Sequence, residues 1–305
     1  MKNQVIRYVQ FLFIQTLPFV VFLILFELLL RSIPNDYQLK RQYLIKNASE
    51  IEVLYLGNSH TFYGIRPEYC TKKAFNLGHI SQSLNIDYAF LKKYESKWKK
   101  LKYVIIPLDY FSLFEELNHS DEDWRIKNYK LYHDLVIRDR FQDNFECFNV
   151  DFKSNCKRII KNYISHQNEV TATQLGYGTA FQSRSNLDLE TTGIEAAKRH
   201  FAQSDSLYYS NYKSLIAILN FTKKYNIKPI LVSFPTYPTY YQNLDKRQLL
   251  KTIQTAYKLK TKYSSLLYFN LLDSNYFTKE DFHDGDHLNE IGAKKLTLFL
   301  NIALN

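Results

Sequence analysis

Hydrophobic and polar positions divide the chain into an apolar head, a polar neck and a long alternating body. The head, Phe11 to Leu30, is broken only by Gln15, Thr16, Pro18 and Glu27, and its apolar residues lie on all sides of a helix. About 20 such residues suffice to cross the hydrocarbon core of a membrane. The run exceeds the apolar region of a cleavable signal, and no small-x-small site follows it before Arg31. It reads as an uncleaved, single-pass signal anchor within residues 1–35, seated in the cytoplasmic (inner) membrane. Lys2 and Arg7 precede the run while Arg31, Lys40, Arg41 and Lys46 follow it, so charge does not set its orientation. An extracytoplasmic body is expected on functional grounds instead. Residues 36–50 are polar and read as a juxtamembrane connector.

The body, 51–305, carries five short apolar runs rich in β-branched and aromatic residues, at 51–56, 74–77, 103–108, 228–234 and 266–271. Between them lie segments of helical periodicity: Leu84, Tyr88, Leu91, Tyr94 and Trp98; Tyr208, Tyr212, Leu215, Leu219 and Thr222; Leu249/Leu250, Ile253 and Tyr257. The last segment runs from Ile291 to Ala303 with Asn289 near its amino cap. Strands alternating with helices predict a parallel sheet covered on both faces, a three-layer α/β/α fold. The roughly 100 residues after the third strand, 110–205, are too many for a structureless loop and predict a helical lid or subdomain beside the crevice. Gly176-Tyr177-Gly178-Thr179 reads as a loop within it, without an assigned role.

Composition narrows the class. The chain has 305 residues, enough for a sizeable core, with only 8 Gly and 7 Pro. The net charge of +10 comes from scattered basic pairs that suit solvated helix faces, anionic glycans or anionic lipids. No nucleic-acid-binding motif accompanies it. Cys70, Cys147 and Cys156 lack metal-ligand spacing; Cys147 and Cys156 are either a disulfide pair or two thiols.

The chemistry concentrates at the carboxyl ends of the first and last strands, where open α/β sheets bind ligands. Ser59 follows the first strand in Gly57-Asn58-Ser59-His60 and is either a nucleophile or the N-cap of the next helix. In the first case its own backbone N–H faces the developing oxyanion. Asp284-Gly285-Asp286-His287 follows the last strand: His287 is a candidate base and Asp284 the carboxylate that orients it. The competing reading of that block is a metal site from His283, Asp284, Asp286 and His287, but no second cluster completes it, so no metal or cofactor is expected. Tyr237, in the turn after the fourth strand, either stacks on a sugar or simply packs.

These blocks resemble the SGNH (GDSL-like) hydrolase superfamily. Gly57-Asn58-Ser59-His60 stands at its Gly-Asp-Ser block, Asn76-Leu77-Gly78 at the glycine block, and Asp284-Gly285-Asp286-His287-Leu288-Asn289 at the terminal Asp-x-x-His block. The resemblance covers about 51–305, apart from 110–205. It implies a flavodoxin-like sheet, a Ser59–His287–Asp284 triad, and an oxyanion hole containing the Ser59 and Gly78 N–H groups. It departs at the third block, where Pro107-Leu108-Asp109-Tyr110 offers a carboxylate in place of an asparagine donor. Asp109 is then protonated, turned away, or used in binding. Asn58 and His60 are further crevice candidates. Membrane-anchored relatives of this layout decorate cell-envelope polysaccharides, so the expectation is an esterase or O-acyltransferase acting on an acylated glycan. Envelope-assembly proteins are the partners such a role suggests. The rival is a tethered glycan-binding or assembly protein that kept the fold and lost catalysis.

Overall fold

A computed structural model describes residues 2–184 and 187–304. Five parallel strands form one sheet: β1 (Val53–Tyr55), β2 (Ala74–Asn76), β3 (Tyr103–Pro107), β4 (Lys228–Ser233) and β5 (Leu267–Asn270), in the order β2-β1-β3-β4-β5. This is the flavodoxin-like order, whose direction of winding reverses between β1 and β3. Val53 pairs with both Ala74 and Tyr103, and Ile230 with Leu267, which brings the carboxyl ends together along one edge.

Alternate strand residues feed two cores, as the twofold repeat of a strand requires. Leu54, Leu56, Phe75, Val104 and Leu231 pack beneath helices α4 (Leu84–Lys93), α8 (Tyr208–Lys224) and α10 (Lys246–Lys262). Val53, Tyr55, Ile105, Ile230 and Val232 pack on the other face against α11 (Glu290–Leu300). Asn289 caps α11, accepting from the Ile291 and Gly292 amides. The three layers and all five strands match the pattern read from the sequence.

Two expectations change. Residues 36–50 are no mere connector: Asn35 caps α2 (Asp36–Asn47), and Tyr37, Lys40 and Leu44, one per helical turn, are buried against the domain. The 110–205 region, expected as a helical lid or subdomain beside the crevice, lines the cavity and also builds the core. Its α5 (Ile126–His133) contributes Ile126, Tyr129 and Tyr132 to the larger core. Its later helix α7 (Leu189–Arg199) packs Ala196 and Ala197 against Tyr240 of α9 (Pro238–Gln242). The loop at Gly176-Tyr177-Gly178 acquires a role, because the Gly178 N–H donates to Phe62 O and Leu175 O accepts from Asn76 N, extending the β2 edge. Gly176, at φ +91°, passes so close to Asn76 O that a Cβ would lie 1.9 Å from it. All three cysteines are free thiols, so of the two readings of Cys147 and Cys156 the unpaired one holds.

The remaining helices are α1 (Lys2–Arg31), α3 (Ser59–Gly64) and α6 (Phe152–Ile159), the last continuing as a π-turn over Ile160–Ile164. Among the described residues, α1 is the one helix long and apolar enough to cross a membrane, a property shared by anchors and signal sequences.

Candidate active site

Gly57 sets the turn after β1. It adopts φ +112°, and a Cβ there would sit 2.1 Å from Pro107 Cγ, so only glycine fits. Its N–H donates to the buried Asp87 carboxylate at 2.9 Å. Asn58 then caps α3, its Oδ1 accepting from the His60 N–H at 2.9 Å, and Ser59 opens the helix. Ser59 is therefore presented at the head of α3 rather than used as the cap.

The Asp-x-x-His loop faces it. His287 Nε2 lies 2.9 Å from Ser59 Oγ, across 228 residues of sequence. On the far side of the ring, Asp284 Oδ1 lies 3.0 Å from Nδ1 and also accepts the His287 N–H at 2.8 Å, which locks loop and ring together. Ser59, His287 and Asp284 are thus within hydrogen-bond reach in a line, the arrangement that proton transfer requires.

A second carboxylate, missed as part of this arrangement by sequence reasoning, sits behind the first. Asp286 is 3% exposed and touches three imidazoles: His287 Nδ1 at 3.4 Å, His200 Nε2 at 3.3 Å and His60 Nε2 at 3.7 Å. Arg199 adds a contact at 3.3 Å. Burial disfavours a charged Asp286, but these cationic partners overcome it and hold the carboxyl well below its usual range. Burial likewise opposes protonation of His287, yet Asp286 and Asp284 reverse that and raise its pKa to about 10. His200 and His60 are raised for the same reason, His200 between Asp286 and Glu115, His60 chiefly by Asp109. Arg199 and His200 come from the end of α7, inside the insertion. No spacing in the sequence connects them to the Asp-x-x-His block.

The third-block question has a geometric answer. Asp109 is turned away and buried at 1% exposure, accepting from Asn58 Nδ2 at 3.1 Å and from the Phe234 N–H at 3.0 Å, with His60 Nδ1 at 3.1 Å. It braces the turn and does not line the crevice. His60 is equally buried, so the crevice roles of His60 and Asp109 are corrected to supporting ones. Tyr237 also lies outside the crevice, its hydroxyl donating to Glu190 at 3.0 Å. The Gly78 N–H donates to Asn76 Oδ1 at 3.0 Å, which corrects its assignment as an oxyanion donor. Among the described residues, His283 and Asp284 do not join a group of converging ligand atoms, and the His283 ring stacks on Phe181 at 4.0 Å. His60, Asp286 and His287 do bring ligand atoms within 4.8 Å of one another, but these groups already pair among themselves.

Ser59, Asn58 and His287 open into a cavity of about 650 Å³. Its walls mix aromatic rings (Phe111, Phe114, Phe181) with hydrogen-bonding groups (Ser81, Ser83, His119, Arg199). Of the two amide side chains on its wall, Gln82 donates to Asp87 and Leu77 O. Asn58 donates from its amide to Asp109.

No protein-family model matches the chain, and no curated protein matches it either. Among solved structures, the chain is similar to a candidate platelet activating factor from Streptococcus pneumoniae (12% identity, TM-score 0.43, covering 96% of this chain and 99% of the other). It is similar also to a candidate lipolytic protein of the G-D-S-L family from Desulfitobacterium hafniense (12%, 0.38, 83% and 98%). A candidate acylhydrolase from Bacteroides fragilis is a third (13%, 0.38, 88% and 96%).

Proposed function

We propose that this chain is an SGNH-type serine esterase or O-acyltransferase, held at the membrane by α1. The observation that carries the reading is the hydrogen-bonded line Ser59 Oγ–His287 Nε2, His287 Nδ1–Asp284 at the carboxyl edge of the sheet. Ser59 Oγ attacks an ester carbonyl while neutral His287 takes the hydroxyl proton. The tetrahedral oxyanion is met by the Ser59 N–H and the Asn58 amide. Collapse breaks the ester bond, His287 returns the proton to the leaving alcohol, and an acyl-Ser59 ester remains. Water or a sugar hydroxyl then repeats the sequence in reverse and frees Ser59.

The finer reading is that the acyl group belongs to a cell-envelope polysaccharide. Its support is the cavity, whose size and alternation of rings with hydroxyl and cationic groups suit a sugar chain. The second reading, a tethered glycan-binding or assembly protein, is favoured by two observations: Gly78 and Asp109 supply no oxyanion donors, and His287 is held largely protonated at neutral pH.

Turnover separates the two. The full chain in detergent, given p-nitrophenyl acetate with and without an acceptor oligosaccharide at pH 9, should release nitrophenolate well above the spontaneous rate, and Ser59→Ala should release it only at that background rate. Acetylated oligosaccharide in the products identifies a transferase, and acetate alone an esterase. Binding of the oligosaccharide with no nitrophenol release from the wild type would establish the binder and overturn the enzyme.

A further inference from the structure

The region around the base of α1 has a surface that the acyl chemistry does not use. At about 1.5 Å per residue, the 30 residues of α1 are ~45 Å long, against a hydrocarbon core of about 30 Å. About ten residues are therefore in excess. The apolar run Phe11–Leu30 fills that thickness, so the excess lies mainly before Phe11, and the insertion grips the exit end of the span, Phe26–Arg31. Phe26 packs with Cys147, Cys156 and Ile159, and its ring lies 5.3 Å from that of Phe152. The carboxylate of Glu27 accepts from the Glu146 and Cys147 N–H groups and pairs with Arg31, which accounts for an acid inside an apolar helix. The Tyr163 hydroxyl donates to Leu29 O at 2.9 Å.

Beside this grip, Phe141 is 75% exposed, Phe152 62% and Ile164 71%, with Phe148, Ile160 and Tyr163 also open. Phe141 and Phe148 pack around Phe145 in the same segment that binds Glu27 and Arg31. Phe152, Ile160 and Ile164 recur at multiples of four along α6 and its π-turn. Lys153, Lys157 and Lys161, all exposed, form the adjoining row. A short helix with an apolar row flanked by lysines is the pattern of a segment lying in a lipid interface.

We infer that residues 141–164 form a second membrane contact, lying in the interface with the apolar row in the acyl boundary and Lys153, Lys157 and Lys161 against anionic head groups. The occupant is lipid rather than a protein because the patch is continuous with the helix read as a membrane span and meets it at the level where that span must leave the bilayer. The inference rests on the reading of α1 as an anchor. It gives the site a fixed orientation toward the membrane surface instead of free rotation on a tether.

The wild-type chain, one copy per nanodisc, can be irradiated with lipids bearing a diazirine near the head group and mapped by peptide mass spectrometry. Adducts on 141–164 should exceed those on α10, whose exposed Leu250 and Tyr257 serve as the control, by at least tenfold. They should rise several-fold when anionic lipid replaces zwitterionic lipid, and Lys153→Glu with Lys157→Glu and Lys161→Glu should abolish that rise. Adducts on α1 with none on 141–164 would overturn the inference and leave the anchor standing. Adducts on 141–164 with none on α1 would overturn the anchor and, with it, the second contact beside a span. An unlabelled 141–164 that cross-links instead to a membrane protein in native vesicles would assign the patch to a protein and overturn it equally.

Discussion

Replacing Asp286 with asparagine should make the site faster at neutral pH. Asp286 lies 3.4 Å from His287 Nδ1, in addition to the Asp284 carboxylate at 3.0 Å. At an effective dielectric of about 20, a unit charge at that distance is worth ~5 kcal/mol. The rise of His287 from 6.5 to about 10, net of burial, corresponds to a similar ~5 kcal/mol. With a pKa near 10, about one molecule in 300 holds a neutral base at pH 7.5. Asparagine keeps the size of the side chain and its contact with His200 but removes the charge. A fall of ~1.5 pKa units would raise the neutral fraction about 30-fold at pH 7.5. The assay is the second-order rate of Ser59 modification by a fluorophosphonate between pH 6 and 10.5. The wild-type rate should climb through an alkaline midpoint well above 6.5, and that of Asp286→Asn through a lower one, faster by about 30-fold at pH 7.5 and converging above pH 10. A wild-type midpoint near 6.5, or an unmoved midpoint in the variant, would refute the electrostatic reasoning.

Asn58→Ser keeps a helix-capping oxygen but loses the amide, so kcat should fall by about 10²–10³ with a smaller change in KM; a loss under threefold would remove Asn58 from the oxyanion hole. Gly57→Ala forces a Cβ to 2.1 Å from Pro107 Cγ at φ +112°, and thermal melting in detergent should drop by on the order of 10 °C. An unchanged melt would contradict that contact. Lys40 is fully buried against Gly78 O, and burial lowers its pKa to about 7, with Asp36 opposing. Between about pH 7 and 10.5 the unfolded state thus binds more protons at Lys40, and this residue makes stability rise with pH. His287, with its raised pKa, acts in the opposite sense over much of that window, so the test is the difference between proteins. Relative to wild type, Lys40→Met should gain stability toward pH 6 and lose the advantage toward pH 10 in urea titrations; a pH-independent difference would refute a neutral buried lysine.

The sheet was legible because β1 to β4 are buried almost throughout and, with the half-buried β5, read as short apolar runs separated by helices of clear periodicity. The meeting of Ser59 with His287 was legible for a narrower reason: each follows a strand end, and strand ends in a parallel sheet converge. What stayed hidden depended on side chains behaving against type. Lys40 and Tyr37 made α2 look polar, yet both are buried, Lys40 on a carbonyl and Tyr37 stacked on His79 at 4.0 Å. Asp109 looked like a crevice residue because its block follows β3, but its carboxylate points inward to Asn58 and the Phe234 amide. Gly78 looked free to donate, but a side chain two residues away takes its N–H. Asp286 is separated by more than 80 residues from His200 and Arg199, and only the packing of α7 across the Asp-x-x-His loop brings them together. Pattern reading locates elements and their ends; it does not see which polar groups have already found one another.

The central claim is that Ser59 is a nucleophile activated by His287. Intact-mass and peptide mapping of the full chain after exposure to a fluorophosphonate at pH 9 tests it most directly. The account predicts a single adduct on the Ser59 peptide, absent in Ser59→Ala and slowed by at least 10³ in His287→Ala. A folded wild-type chain that takes up no adduct at Ser59, or one that His287→Ala labels equally fast, would contradict it.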